Sequence, residues 1–256
     1  MSSPHDLAAE LLTAFRAPAP DLVGTIPDRM ASTPVALRSP VRFAARDRTR
    51  APLLTVLEQR RSVRLFGPQA VAASLVADVV ARGIEADVGS WPDHQAQCPL
   101  QTDVVAFRLD GLEPGMYSLD AVGNPGGAAG DVVNREYVQV APLPKQGDLH
   151  DLTLQREFCD SAVIISIAAD LDLVGSLYGA HGYRILMGRA AAAAYTMWLD
   201  AVALGLVGTV FAGFIPASVR RPLRSDGASR HQIFALALGG APEPPPHTLP
   251  WPAGHG

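Results

Sequence analysis

The densest chemical constellation in the chain is Arg60-Arg61-Ser62-Val63-Arg64. Guanidiniums grouped around a hydroxyl suit a phosphate: arginine grips its oxygens in pairs, and a serine or a backbone N–H supplies the remaining hydrogen bonds. The same residues equally suit an ordinary helix end, where arginines complement the C-terminal dipole. Asp170 and Asp172, in ADLDLVG, form a carboxylate pair fit for acid–base work or for a solvated strand end. Tyr178 is followed by His181 and Arg184 in YGAHGYR. Cys159 has no histidine partner nearby, and packing as a small hydrophobe accounts for it. His94, His150, His181 and His231 are scattered without the spacing of a metal site. There is no G-x-S-x-G elbow and no Walker-type GK[ST].

These groups need elements to hold them. Residues 6–16 have the spacing of a short amphipathic helix. A Pro-containing stretch follows to residue 51, carrying the basic run Arg38, Arg42, Arg46, Arg48 and Arg50, offset only by Asp47. That run reads as a solvated arm, or as a contact surface for a partner subunit or an acidic peptide. Residues 52–60 predict a helix with Pro52 in its first turn, and 70–82 a second helix. Strands are predicted at 103–109, within 111–120 after a turn, at 161–169, 208–214 and 232–238. The uninterrupted apolar run at 161–169 marks a central strand. A long, very apolar helix is predicted over 178–204, a Gly/Ala-rich loop at 123–130 and a short helix at 216–221. The tail from 241 is too proline-rich for helix or sheet. The order of elements fits α+β architecture around one sheet.

Composition narrows the class. The 256 residues are 48% hydrophobic and 18% charged, which excludes disorder and demands a large core. A net charge of -4 gives no global reason to bind nucleic acid. Two cysteines are too few for a disulfide scaffold, and the first residues lack the pattern of a signal peptide, so the cytoplasm is the expected compartment. The apolar stretch 190–215 is long enough for a bilayer. Asp200 and the glycines within it favour a buried helix followed by a buried strand.

Taken in order, RRSVRLF, GLEPGMYSLD, the buried strand, YGAHGYR, GTVFAGF and ALALG resemble the FMN-dependent nitroreductase superfamily. The chain looks closest to its azoline dehydrogenase branch, which oxidises thiazolines and oxazolines in ribosomally made peptides. The resemblance covers about residues 52–240, leaving 1–51 as an N-terminal helix and basic arm and 241–256 as a tail. It implies a central, mostly antiparallel sheet flanked by helices, and an intertwined homodimer with FMN at the subunit interface, the apolar helix 179–204 serving as interface. By the same resemblance Arg60, Ser62 and Arg64, with Arg61 beside them, match phosphate- and ribityl-binding positions. Ala212 and Gly213 match a turn whose backbone approaches the flavin ring, small residues allowing that approach. Two positions depart from the branch: Leu177 stands where a lysine usually precedes the tyrosine, and DHQAQCPLQ keeps little of the usual Ser/Gly-rich loop.

Flavin dehydrogenation asks for a base that removes a C–H proton as a hydride equivalent leaves to the flavin. Tyr178 is the candidate to act as base or to orient substrate, with Arg184 and His181 placed to lower its pKa. The resulting expectation is azoline oxidation in a thiopeptide-like precursor peptide, with a cyclodehydratase as a further partner and neither nucleic acid nor membrane involved. Two alternatives stand beside it: an NAD(P)H-dependent nitro or quinone reductase, and a redox-inactive scaffold in a peptide-modifying complex.

Overall fold

In the uninterrupted apolar run, strand β7 (Val163–Ala169) is buried at every position, as a strand covered on both faces must be. It lies inside a seven-stranded sheet in the order β1-β6-β5-β3-β7-β9-β8. The other strands are β1 (Val41–Ala44), β3 (Gln101–Ala106), β5 (Gly115–Asp120), β6 (Asn134–Pro142), β8 (Val207–Phe211) and β9 (His231–Gly239). All neighbours pair antiparallel. A parallel pair, β2 (Val71–Ala72) with β4 (Leu109–Asp110), stands apart. The helices are α1 (Leu53–Gln59), α2 (Ala73–Ser90), α3 (Pro92–Gln97) and α4 (Leu171–Ala203), with a 3₁₀ turn at Arg156–Asp160. This computed structural model describes residues 35–122, 134–145, 152–215 and 227–242, with positions 6, 9, 10, 12, 13 and 218 besides. The loop at 123–130, most of the helices expected at 6–16 and 216–221, and nearly all of the tail lie outside the described residues.

Period-2 alternation divides the core between the two sheet faces. Val104, Ile165, Ile167, Leu236 and Leu238 pack with α2 and α4 on one face. Val105, Ile164, Ala235 and Ala237 pack with Leu152, Phe158 and Phe214 on the other. Helix α2 buries Val76, Val79, Val80, Gly83 and Ile84, and with them two carboxylates, Asp78 and Asp87. Buried charges need partners, and those partners tie the fold together. Asp78 pairs with Arg48 and with Arg135 of β6. Asp200 of α4 accepts from Arg50 Nε at 2.6 Å and Nη2 at 3.3 Å. Arg48 and Arg50 therefore clamp onto the chain's own helices, and the solvated-arm and partner-surface readings both fail for them. Exposed Arg42 pairs with Glu136 across β1 and β6.

Helix α4 starts earlier than the residue pattern predicts. The first helix turn of α4 begins at Leu171, because the Asp170 side chain caps it by accepting from Leu173 N at 2.9 Å. That capping role replaces the acid–base and strand-end readings of Asp170. Strand β6 alternates polar Arg135 and Gln139 into buried positions, which hides its periodicity. Within 190–215 the chain is helix and then strand, and no helix among the described residues is long and apolar enough to cross a membrane.

Candidate functional site

Helix α1 stops at Arg60, whose backbone N still donates to Val56 O at 2.8 Å before the chain turns extended. Val63 N then donates to Gly208 O at 3.0 Å, and Ser62 bridges Gly208 in parallel sense. The RRSVR segment thus runs beside β8 in the same direction, towards the turn after Phe211. In extended backbone alternate residues share a side, so Arg60, Ser62 and Arg64 fall together and Arg61 falls with Val63. The Arg60 guanidinium lies 4.6 Å from the Trp198 ring centroid and 5.8 Å from that of Tyr195. Its Nε and the Trp198 Nε1 are buried donors without a hydrogen-bond partner among the described residues. Arg64 is exposed and, among the described residues, reaches Glu157 at 3.8 Å.

Strand β8 ends at Phe211, whose ring sits 4.4 Å from that of Phe158 in the 3₁₀ turn. Ala212 is exposed, and Gly213 follows at φ 105°. A Cβ at Gly213 would meet nothing within 4 Å, so the glycine answers the backbone angle and not crowding. Small residues, an exposed backbone and open space above it suit the approach of a flat ring. Buried donors with no acceptor, aligned with a serine and a further arginine, suit a phosphate. The residues present fit FMN on both counts.

Tyr178 closes the first segment of α4, which Gly179 breaks at φ 57° and ψ -150°. The phenol donates to Gln97 Oε1, and its ring stacks on His94 with centroids 4.9 Å apart. Both partners lie on or within α3, a short helix absent from the expected elements. Burial, with Cys98 nearby, raises the Tyr178 pKa. Arg184 does not lower it: its guanidinium meets His181 Nδ1 at 3.2 Å. Raised in pKa and donating to Gln97, the phenol is better placed to orient a substrate than to act as base, the two roles considered for Tyr178. Orientation of a substrate remains compatible with this geometry. Strand pairing puts this segment and the Ala212–Gly213 turn at one end of the sheet, since Ala169 faces His231 and Phe211 faces Ala235.

Arg189 was not among the sequence candidates. It is 1% exposed, and it holds Asp87 through Nε at 3.0 Å and Nη2 at 2.7 Å. It also donates to Cys98 O at 3.1 Å and to Gln95 Oε1 at 2.7 Å. Arg189 therefore fixes α3, which in turn holds the Tyr178 ring. The available signal was a lone charge in MGRAAAAA, since a charge amid apolar residues implies a buried partner.

Comparison with known proteins agrees with this fold. The profile of the nitroreductase family matches residues 57–240. No match is found among curated protein sequences. An Anabaena variabilis protein assigned as a nitroreductase superposes with a TM-score of 0.61 at 19% identity, over 78% of this chain. The chain spans 42% of the length of that relative. A Ralstonia eutropha protein assigned likewise gives 0.54 at 16% identity, over 88% of this chain and 97% of the other. The E. coli microcin synthetase McbBCD complex with truncated pro-MccB17 bound gives 0.53 at 15% identity, over 72% of each chain. With its profile match and its large antiparallel sheet packed against helices, the chain belongs to the nitroreductase family.

Proposed function

We propose that the protein is an FMN-dependent dehydrogenase that oxidises thiazoline or oxazoline rings of a ribosomally made peptide. The observation that carries the flavin half is the alignment of RRSVR with β8, which joins donors without acceptors at Arg60 to the open Gly213 turn. Arg60, Ser62 and Arg64 hold the phosphate and ribityl chain, and the backbone of Ala212 and Gly213 lies against the ring. Arg61 supports this set from the opposite side of the segment. Aromatising an azoline removes two hydrogens: a hydride equivalent, which bound FMN accepts, and a proton, which another group must take. Tyr178 positions the substrate through a hydroxyl whose orientation Gln97 and His94 fix. Arg184 supports this by holding the His181 ring one turn away.

The peptide half rests on the motif order and on the fold shared with a microcin synthetase complex that holds a peptide. Helix α4 leaves Ala180, Gly188, Ala191, Ala192 and Tyr195 exposed along one face of a single chain. A second copy packed on that face makes the homodimer, and a cyclodehydratase partner would deliver the peptide. The second reading, an NAD(P)H-dependent nitro or quinone reductase, is favoured by Leu177 in place of the lysine. Purified protein should carry FMN, seen in the visible spectrum and identified by mass after release. It should convert a thiazoline peptide with the loss of two mass units. Tyr178→Phe and Arg184→Ala should both slow that conversion, and wild-type rates in both would remove these residues from the mechanism. Steady NAD(P)H oxidation with a nitroarene and no action on thiazolines would establish the second reading. A colourless protein that takes up no FMN would refute both.

A further inference from the structure

Helix α3 has two differently occupied sides. One carries Gln97 and His94 against Tyr178. The other roofs a cavity of about 480 Å³ between α2, the start of β3 and the end of β5. Its mouth is a ring of exposed apolar residues, Val88, Pro92, Ala96 and Pro99. Its floor is buried Ile84, Leu100 and Leu119. The polar groups in the wall are already engaged. Gln95 Oε1 accepts from Arg189 at 2.7 Å and from Leu100 N at 3.1 Å. Thr102 Oγ1 donates to Leu119 O at 2.6 Å. The cavity therefore rewards apolar contact and offers few hydrogen bonds.

We infer that this cavity receives an uncharged apolar side chain of the substrate peptide, of aromatic or branched aliphatic size. The assignment rests on the reading that Tyr178 faces substrate. An α-helix is about 10–12 Å across with its side chains, so α3 separates the cavity from Tyr178 by about that distance. An extended chain spans at most about 3.3–3.6 Å per residue, so the side chain belongs to a residue at least about three positions from the ring being oxidised. The cavity thus reads the sequence beside the azoline, a specificity subsite outside the flavin cradle.

The test begins without any redox substrate. N-Phenyl-1-naphthylamine, an uncharged fluorescent aromatic, is titrated into the full-length protein, and N-acetylphenylalaninamide is then added as competitor. A saturable signal with one site per chain is expected, displaced by the competitor. Val88→Trp at the mouth and Val122→Trp in the wall should each weaken probe binding at least tenfold and leave FMN uptake unchanged. No saturable signal, an unchanged signal in both variants, or displacement of the probe by FMN overturns the site. A kinetic comparison then uses thiazoline peptides with Phe or Ala three residues from the ring. Val88→Trp should raise KM for the Phe peptide alone, with kcat unchanged, and equal KM changes overturn the substrate assignment. A wild-type protein that oxidises neither peptide refutes the azoline reading and the substrate assignment together, while probe binding still decides whether the cavity is a ligand site.

Discussion

Replacing Arg189 by methionine keeps much of its aliphatic stem and removes the charge. Asp87 is then left without its bidentate partner in a site where its side chain has no solvent exposure. Breaking such a pair from one side costs about 3–5 kcal/mol. In a domain of this size about 1 kcal/mol moves Tm by roughly 2–4 °C, so a fall of roughly 6–20 °C follows. The same reasoning fixes the rescue. In the double variant Arg189→Met, Asp87→Leu no unpaired charge is left, and an apolar pair of similar volume is often neutral relative to the ion pair. The remaining loss is the Cys98 carbonyl, which Arg189 also served. Gln95 Oε1 keeps the Leu100 N–H. The double variant should therefore lie within about 1–3 kcal/mol of wild type. Urea unfolding of the wild type, both single variants and the double variant closes the cycle. A loss below about 1 kcal/mol in Arg189→Met, or a double variant no better than the single, would refute the claim that this pair anchors α3.

Three further outcomes follow from the described geometry. Gly213→Ala places a side chain at φ 105° with open space around it, so a purely conformational cost of about 1–2 kcal/mol should appear in thermal melts. FMN uptake should weaken in parallel, and unchanged uptake would dissociate the turn from the flavin. Arg50→Ala strands the buried Asp200 carboxylate, but the Arg50 side chain is 31% exposed, so water softens the loss to about 2–3 kcal/mol. Melts at low and high salt check this, and a change below about 0.5 kcal/mol would return the arm to solvent. Burial pushes the Cys98 thiol up to about 11, so its thiolate at pH 8 is about a hundredfold scarcer than that of a free cysteine. Iodoacetamide should therefore modify it at least about a hundredfold faster in urea than in the native protein. With the folded thiol above its unfolded value, the linked stability is full below pH about 9 and is lost as the pH rises towards about 11.

The strands and helices that bury plain apolar residues were legible in the sequence. Ser161 onward announces β7 because both faces are covered, and QIFALAL announces β9 for the same reason. What escaped was carried by polar residues placed inside. Arg135 and Gln139 disguise β6, and β1 shows almost no pattern because it is an edge strand with exposed side chains. Helix α3 buries no residue, so no apolar period reveals it. At the site, the residue types of RRSVR and VFAGF could be read locally. Their alignment could not, since it depends on a pairing between Ser62 and Gly208 far apart in the chain. The expected contact between Arg184 and Tyr178 does not form, because residues six apart lie on opposite sides of a continuous helix. Gly179 also breaks the helix, and the tyrosine turns to α3 instead.

The bridge between Ser62 and Gly208 has a second effect. Among the described residues, strand β8 is the last of the sheet, with β9 on one side and the RRSVR segment along the other. An uncovered edge of a large antiparallel sheet is a template for adding strands from other molecules. The segment that we assign to the flavin phosphate thus also shields the sheet from self-association. Its hold on β8 within a single chain is slight, one parallel bridge and the Val63 hydrogen bond. A cofactor bound to Arg60, Ser62 and Arg64 would pin this guard in place, and flavin-depleted protein would then be the aggregating form. On that proposal, solubility during expression would follow cofactor supply.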